Sequence, residues 1–463
     1  MRGLALLTLI ETSLILFSSC SKQLSKQQNS IGVTNSLTLT SGVTGVSLAQ
    51  AEVVAQNFLQ KKSPGFKISI KNSQTITSQG KPYFHIVNAN RGFVILSSDS
   101  LYTPILAYDK VGNFAFEQNH LDPGILNWLN KNANELDFVR GNKSKYIDSI
   151  GAVNKLLWAA GGSPSSIWVP QNIVAQNPSR KIVESLPPTI VSTYDSGVNV
   201  VTTVGPLCQT LWGQDYPFNY FCPVGTYSGG HDAAGCVAVA MAQVMYFWQL
   251  PTGYAYSNMP LTWLDAESLP PGGDCERLIS DVGAAIGTTY GSSSGANAQL
   301  VPGMFTHYGY SSATGTADYS QQALSGDDGG TVYASLMTNE IQTYHRPCIA
   351  SGFSGYSGVF GILPQPSGDG HCWVCDGSDV EAYSTYQVIV LSNGQREVSE
   401  VSSGTFSMLH MNWGWEGIDD EVDEDGNPLT DNGWYNCSTN YTQASSESEN
   451  FQYFQYVIYQ IHP

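Results

Sequence analysis

Residues 234–248 read Ala-Gly-Cys-Val-Ala-Val-Ala-Met-Ala-Gln-Val-Met-Tyr-Phe-Trp, and no other stretch limits the fold of this chain so tightly. The run is rich in strong helix formers and almost wholly apolar, yet it falls short of the ~20 residues needed to cross a bilayer. It therefore predicts a helix held in a globular core. A glycine-rich loop, Tyr227 to Gly230, leads into it, and Cys236 falls in its first turn. Unpaired N–H groups and the helix dipole at that end stabilise a thiolate. An imidazolium neighbour can lower a thiol pKa from about 8.5 to about 3–4. Gly235 removes a side chain where a substrate backbone would approach. Taken alone, Cys236 reads better as a small buried residue of a core helix.

The N-terminus points to export. Arg2 precedes an apolar tract, Gly3 to Phe17, that ends in Ser18-Ser19-Cys20, the pattern of a signal peptide over residues 1–20. A cysteine directly after small residues resembles the bacterial lipobox, in which the thiol takes a diacylglyceryl group. That makes Cys20 the expected lipid attachment site and the chain an outer-membrane or cell-surface lipoprotein precursor. Phe17 and Glu11 depart from the usual pattern, and a plain signal peptide or a single anchor helix are the alternatives. The net charge is −18, which repels phosphate backbones and argues against nucleic acid as a partner. Hydrophobic residues make up 42% of the chain and charged ones 13%, enough to build sizeable cores.

Residues 21–45 are Ser, Thr, Asn, Gln and Lys with little apolar content and read as a flexible tether. Structure is expected from Ser47, where Ser47 and Gln50 form a capping-box pattern ahead of Ala51, Val54, Ala55 and Phe58 at helical spacing. Strand-like runs follow, Tyr83 to Val87 and Phe93 to Leu96, with a turn between them. Asp122-Pro123 starts a second helix, with Ile125, Leu126, Trp128, Leu129, Ala133 and Leu136 on one side. Residues 46–140 thus read as a small α+β domain. Residues 141–203, with loop signals at 161–166 and Pro187-Pro188, read as a linker containing some packed segments. Residues 204–463 form the remaining domain.

Three further motifs surround the Cys236 segment. Gly368-Asp369-Gly370-His371-Cys372-Trp373-Val374 delivers His371 at the start of an apolar strand, 135 residues after Cys236 and inside the roughly 130–150 spacing of papain-type enzymes. His410-Met411-Asn412-Trp413-Gly414-Trp415 offers an Asn amide to orient an imidazole and a Trp to cover the bond. Upstream, Trp212-Gly213-Gln214 supplies an amide that can join the Cys236 N–H as an oxyanion hole. Each motif has an ordinary structural reading; the order Gln, Cys, His, Asn-Trp is what gives them joint meaning.

These motifs resemble the streptopain-like cysteine peptidases, whose catalytic domains carry a Trp-x-Gln segment, a Gly-Cys-Val-Ala helix, a Gly-His-x-Trp-Val strand and an Asn-Trp-Gly-Trp turn. The likeness covers residues 204–463, and residues 46–140 resemble the family's propeptide. It implies an α+β, papain-like two-subdomain catalytic domain, with a Cys-bearing helix packed on an antiparallel sheet. Carried over, Cys236 is the nucleophile, His371 its general base, Gln214 with the Cys236 N–H the oxyanion hole, and Asn412 with Trp413 the groups that orient His371. It implies a zymogen cut within 141–204, with the propeptide as intramolecular inhibitor, protein or peptide substrates, and no metal or organic cofactor. The roughly forty residues between His371 and Asn412 exceed the family's usual spacing and suggest a hairpin insertion over 380–404. Another Cys/His hydrolase acting on cell-wall peptides, or a catalytically silent binding lipoprotein, are the competing readings.

Other signals take plainer readings. Strand alternation puts Trp373 and Cys375 on one face and Cys372 on the other, so Cys372-x-x-Cys375 is not expected to hold a metal. Cys208 and Cys222 are a candidate disulfide that sequence leaves undecided. The acidic run 419–427 reads as a solvated loop rather than a calcium site, and His231 as a loop residue near the cleft.

Overall fold

The computed structural model describes residues 18–19, 31–33, 45–116, 123–141, 151, 154–155, 157–158, 189–317, 330–357, 365–390, 396–415, 431–436 and 453–463. The expected lipid site Cys20 and the acidic run 419–427 lie outside them.

Two short strands come first, β1 (Ser18–Ser19) and β2 (Ile31–Val33). Helix α1 (Leu48–Lys62) then opens where its sequence says it should. The Ser47 hydroxyl accepts the Gln50 N–H at 3.3 Å, and Gln50 Oε1 accepts the Ser47 N–H at 3.0 Å. Its buried residues Ala51, Val54, Ala55 and Leu59 face an antiparallel meander of β3 (Ile70–Ser78), β4 (Lys81–Ala89), β5 (Phe93–Ser97) and β6 (Ile105–Asp109). Helix α2 (Pro123–Gly141) buries Ile125, Leu129 and Leu136 with Phe84, Ile86, Phe93 and Phe114.

The second half starts with β7 (Thr189–Val204), a strand inside the stretch read as a linker; it pairs along the outer length of β12. Strand β8 (Val224–Ser228) precedes the apolar helix α3 (Cys236–Trp248), followed by α4 (Trp263–Glu267), α5 (Asp274–Ala285), β9 (Gly295–Ala296), α6 (Val301–His307), β10 (Ser312–Ala317) and α7 (Gly330–Tyr344). Four long or central strands and one short one complete it: β11 (Cys348–Ser357), β12 (Gln365–Val390), β13 (Arg396–Asn412), β14 (Gly433–Asn436) and β15 (Tyr453–His462).

Helix α3 is buried from Cys236 to Met245, as its composition demands. It packs against α5 and β12, and its cluster takes in Leu278, Ile279, Val282, Phe305, Cys372 and Val374. Burying each large apolar side chain of this kind contributes about 1.5–3 kcal/mol. Cys375 and Trp373 lie in a different cluster, with Trp413 and Tyr435, on the opposite face of β12. The two thiols of the Cys372-x-x-Cys375 pair therefore belong to separate cores, as alternation requires.

One antiparallel sheet runs through both halves, in the order β10, β15, β11, β12, β13, β14, β6, β5, β4, β3, β2, with β7 also on β12. The halves meet at β14 and β6, where Trp434 faces Tyr108 and Tyr435 faces Ala107. The hairpin expected over 380–404 is the outer part of β12 and β13, paired from Val374–Asn412 out to Val390–Arg396. That ladder explains the long His371-to-Asn412 separation: the inserted residues extend the hairpin outward, and its base still sets Asn412 opposite Val374, three residues from His371.

Candidate active site

Helix α3 begins without a side-chain cap. Its N-cap is Gly235, at φ +93°, a conformation that costs other residues strain. The helix thus starts abruptly at Cys236, whose side chain is almost fully buried, 1% exposed. The preceding backbone is fixed by two bonds: the Ala234 N–H donates to the Gln214 carbonyl at 3.0 Å and the Ala233 N–H to the Gly291 carbonyl at 3.0 Å. The first of these ties the Trp212-Gly213-Gln214 segment to the start of the Cys236 helix. The Gln214 side chain is buried, and neither its Nε2 nor its Oε1 has a hydrogen-bond partner among the described residues.

Strand β12 brings the second motif to the same place. Cys372, the neighbour of His371, shares the α3 cluster. Burial and the adjacent Cys236 push its thiol well above the ordinary range, so it stays protonated. His371 is 1% exposed and stacks among three indoles, Trp415 at 5.4 Å, Trp373 at 5.8 Å and Trp413 at 6.1 Å between ring centres. Its Nε2 lies 2.9 Å from the Trp413 carbonyl. A carbonyl oxygen only accepts, so Nε2 carries the hydrogen, and Nδ1 is the nitrogen left for proton exchange.

The Asn-Trp motif divides its work. The group bonded to His371 is the Trp413 backbone carbonyl. The Asn412 amide turns instead to Thr210 and Gln243, donating to the Thr210 carbonyl at 2.7 Å and to Gln243 Oε1 at 3.1 Å. The Trp413 N–H donates to Asn432 Oδ1 at 2.8 Å, which pins the turn presenting that carbonyl. Sequence reasoning singled out neither Gln243 nor Asn432. Gln243 was legible as the one polar residue in an otherwise apolar helix; Asn432 carried no signal.

The remaining candidates stand apart. His231 Nδ1 lies 2.8 Å from the Cys222 carbonyl, a loop bond. Cys208 and Cys222 are both free thiols and form no disulfide with each other; burial, reinforced by Asp232, lifts the Cys222 thiol to about 12.

A second polar cluster lies where the two halves join. His410 Nδ1 is 2.7 Å from Asp376 Oδ1, and its Nε2 is 3.8 Å from Asp109 Oδ2 on β6. Burial opposes the charge on His410, but the two carboxylates outweigh it and raise its pKa to about 9. Beside it, Lys62 of α1 reaches Asp379 Oδ2 at 2.6 Å, and Tyr108 donates to the same oxygen at 2.8 Å.

Comparison with known proteins matches the two halves separately. The Spi protease inhibitor family matches residues 43–136, and the Peptidase C10 family matches 212–259 and 252–422. Streptopain of Streptococcus pyogenes serotype M28 is 21% identical over 373 residues, covering 71% of this chain and 70% of that protein. The thiol protease/hemagglutinin PrtT of Porphyromonas gingivalis is 23% identical over 213 residues, 44% of this chain but only 20% of that much longer protein. Among solved structures, a fragment of prointerpain A from Prevotella intermedia is 16% identical with a TM-score of 0.45, covering 86% of this chain and 99% of that one. With an inhibitor-type domain ahead of a peptidase domain, the chain belongs to the streptopain-like cysteine peptidases, as a precursor that carries its own propeptide.

Proposed function

We propose that this precursor yields an endopeptidase in which Cys236 attacks the scissile carbonyl of protein substrates. The observation that carries this is the pairing of a tautomer-fixed imidazole, His371 held through Nε2 by the Trp413 carbonyl, with a buried, unpartnered Gln214 amide at the uncapped start of the Cys236 helix. His371 Nδ1 takes the thiol proton, and the helix end favours the resulting thiolate. The sulfur adds to the carbonyl carbon. Gln214 Nε2 and the Cys236 N–H donate to the developing oxyanion. His371 returns its proton to the leaving amine, so that the C–N bond breaks and a thioester remains. A water molecule, deprotonated by His371, then releases the acid and restores the thiol. Asn412 and Trp413 hold the base, Trp413 directly.

The propeptide, residues 46–140, docks as an edge of the catalytic sheet and keeps the precursor inactive until a cut within 141–204. The N-terminal reading complements this. Cys20 anchors the exported precursor to an outer-membrane or cell-surface bilayer, and the maturation cut frees the enzyme. Labelled palmitate incorporation, lost in Cys20→Ala, tests the anchor.

The central test is a casein zymogram with N-terminal sequencing of the products. Wild type should process itself and clear casein; Cys236→Ala should remain an uncut precursor. Self-processing or casein clearance by Cys236→Ala overturns the assignment.

A further inference from the structure

Gln243 lies two helical turns beyond Cys236, on the same side of α3, and is fully buried. It is bonded to two other segments of the site at once. Its Oε1 accepts from the Thr210 hydroxyl at 3.1 Å, the Trp212 N–H at 3.4 Å and Asn412 Nδ2 at 3.1 Å. Its Nε2 donates to Asn412 Oδ1 at 3.3 Å, which makes the two side chains a reciprocal amide pair. Asn412 adds its bond to the Thr210 carbonyl and accepts the Gly414 N–H at 3.3 Å.

Each of these contacts sits next to a residue of the proposed chemistry. Thr210 and Trp212 begin the segment that ends in Gln214. Asn412 and Gly414 flank Trp413, whose carbonyl fixes His371. Gln243 itself shares one rigid helix with Cys236. An apolar residue in its place would still fill the core, as nine buried neighbours on α3 do, but would leave the segments free to slide against one another. A buried polar network whose members bond one another rigidifies the core and specifies one arrangement of its segments.

Resting on the peptidase reading above, we propose that Gln243 is a positioning residue that sets the register between nucleophile, oxyanion hole and base. It acts through Asn412 and Thr210 and does not touch substrate. This also gives Asn412 a distinct role: it secures the turn that carries the Trp413 carbonyl rather than bonding His371 itself.

The test uses the full chain, matured in trans by immobilised wild-type enzyme. Steady-state kinetics on a peptide substrate are measured together with the pH dependence of Cys236 alkylation by iodoacetamide. Gln243→Met, close in volume, should lower kcat by about tenfold or more with KM within about twofold, and should move the acidic limb of the alkylation profile to higher pH because the imidazole is no longer held. The paired exchange Gln243→Asn with Asn412→Gln, which restores amide against amide, should recover part of both. A merely structural role lowers the melting temperature and leaves kcat per folded enzyme and the alkylation profile unchanged; that result overturns the proposal. Should Gln243→Met not fold, Thr210→Val removes a single donor from the same oxygen and carries the test: a lowered kcat supports the role, and wild-type kcat with an unmoved profile overturns it. A wild-type enzyme that neither cleaves peptide nor reacts at Cys236 sinks the peptidase reading instead, so the two failures are distinguishable.

Discussion

Burying an amide with nothing bonded to it costs about 1–3 kcal/mol, and Gln214 bears that cost on both of its side-chain atoms. A helix-capping or core role would satisfy at least one of them, as Gln243 satisfies both of its own. The arrangement makes sense if the partner arrives with the substrate. Gln214→Ala should therefore lower kcat by about 10²–10³ while changing KM little, the size seen when one oxyanion donor is removed. Peptide kinetics at saturating substrate measure this; a loss confined to KM would assign Gln214 to ground-state binding. The same residue shows where sequence reading reached its limit. The Trp-x-Gln pattern marked Gln214, but which atom meets His371 was not legible, because that bond is made by a backbone carbonyl and every residue has one. The motif named Trp413 for its indole, whereas its main-chain oxygen makes the contact.

At the scale of elements, local signals translated well wherever the chain had to satisfy its own backbone. The capping box at Ser47, the proline at the start of α2 and the apolar density of α3 each set an element with little help from elsewhere. The strand β7 escaped because its pairing partner is the far half of the β12–β13 hairpin, a long-range ladder that no local pattern encodes. The helix start at Cys236 depends on Gly235 in two ways. Its φ of +93° disfavours any side chain, and a Cβ there would stand 3.3 Å from Thr288 Cγ2. Gly235→Ala should destabilise the domain by about 1–2 kcal/mol and displace the thiol relative to the imidazole. A drop in the denaturant midpoint together with slower Cys236 alkylation checks both effects. A close approach of the same kind occurs at Gly377, where a Cβ would lie 2.6 Å from His410 Cβ and 2.8 Å from the Trp434 ring. The glycine lets β12 pass beneath the histidine that joins the two halves.

For the molecule as a whole, the propeptide and the catalytic half share a sheet, a core and two ion pairs, so their separation must break all of these. Lys62 is the convenient probe, because it lies on α1, in the half that the proposed cut within 141–204 would remove. Its ammonium meets an Asp379 carboxylate that is 1% exposed and also accepts from Tyr108 and Thr203. Lys62→Met leaves that carboxylate buried without its cation, a change worth about 3–5 kcal/mol against docking. The precursor should then mature several-fold faster, while the matured enzyme, whose sequence is unaltered, keeps wild-type kcat and KM. Equal maturation rates would show that the edge-strand pairing and the apolar contact hold the halves together unaided.

His410 adds a pH dependence to the same junction, and its sign follows from its partners. Its pKa in the folded precursor, about 9, lies above the ordinary 6.5 because Asp376 and Asp109 outweigh the cost of burial. A raised histidine contributes stability in full below about pH 6.5 and loses it as pH rises through about 9, a change on the order of 3 kcal/mol. The docked precursor should thus be firmest in mild acid and loosen in alkali. Lys62, Asp379 and Tyr108 surround the site, and other groups titrate in the same alkaline range, so the useful quantity is a difference between two proteins. Asp109→Asn removes the propeptide's carboxylate and leaves Asp376 in place. The histidine pKa should fall, and the alkaline loss of precursor stability should begin at lower pH than in wild type. Urea midpoints taken from pH 6 to pH 10 provide the comparison. Parallel curves for the two precursors would mean that Asp109 does not reach His410 electrostatically across the 3.8 Å between them, and that the histidine belongs to the catalytic half alone.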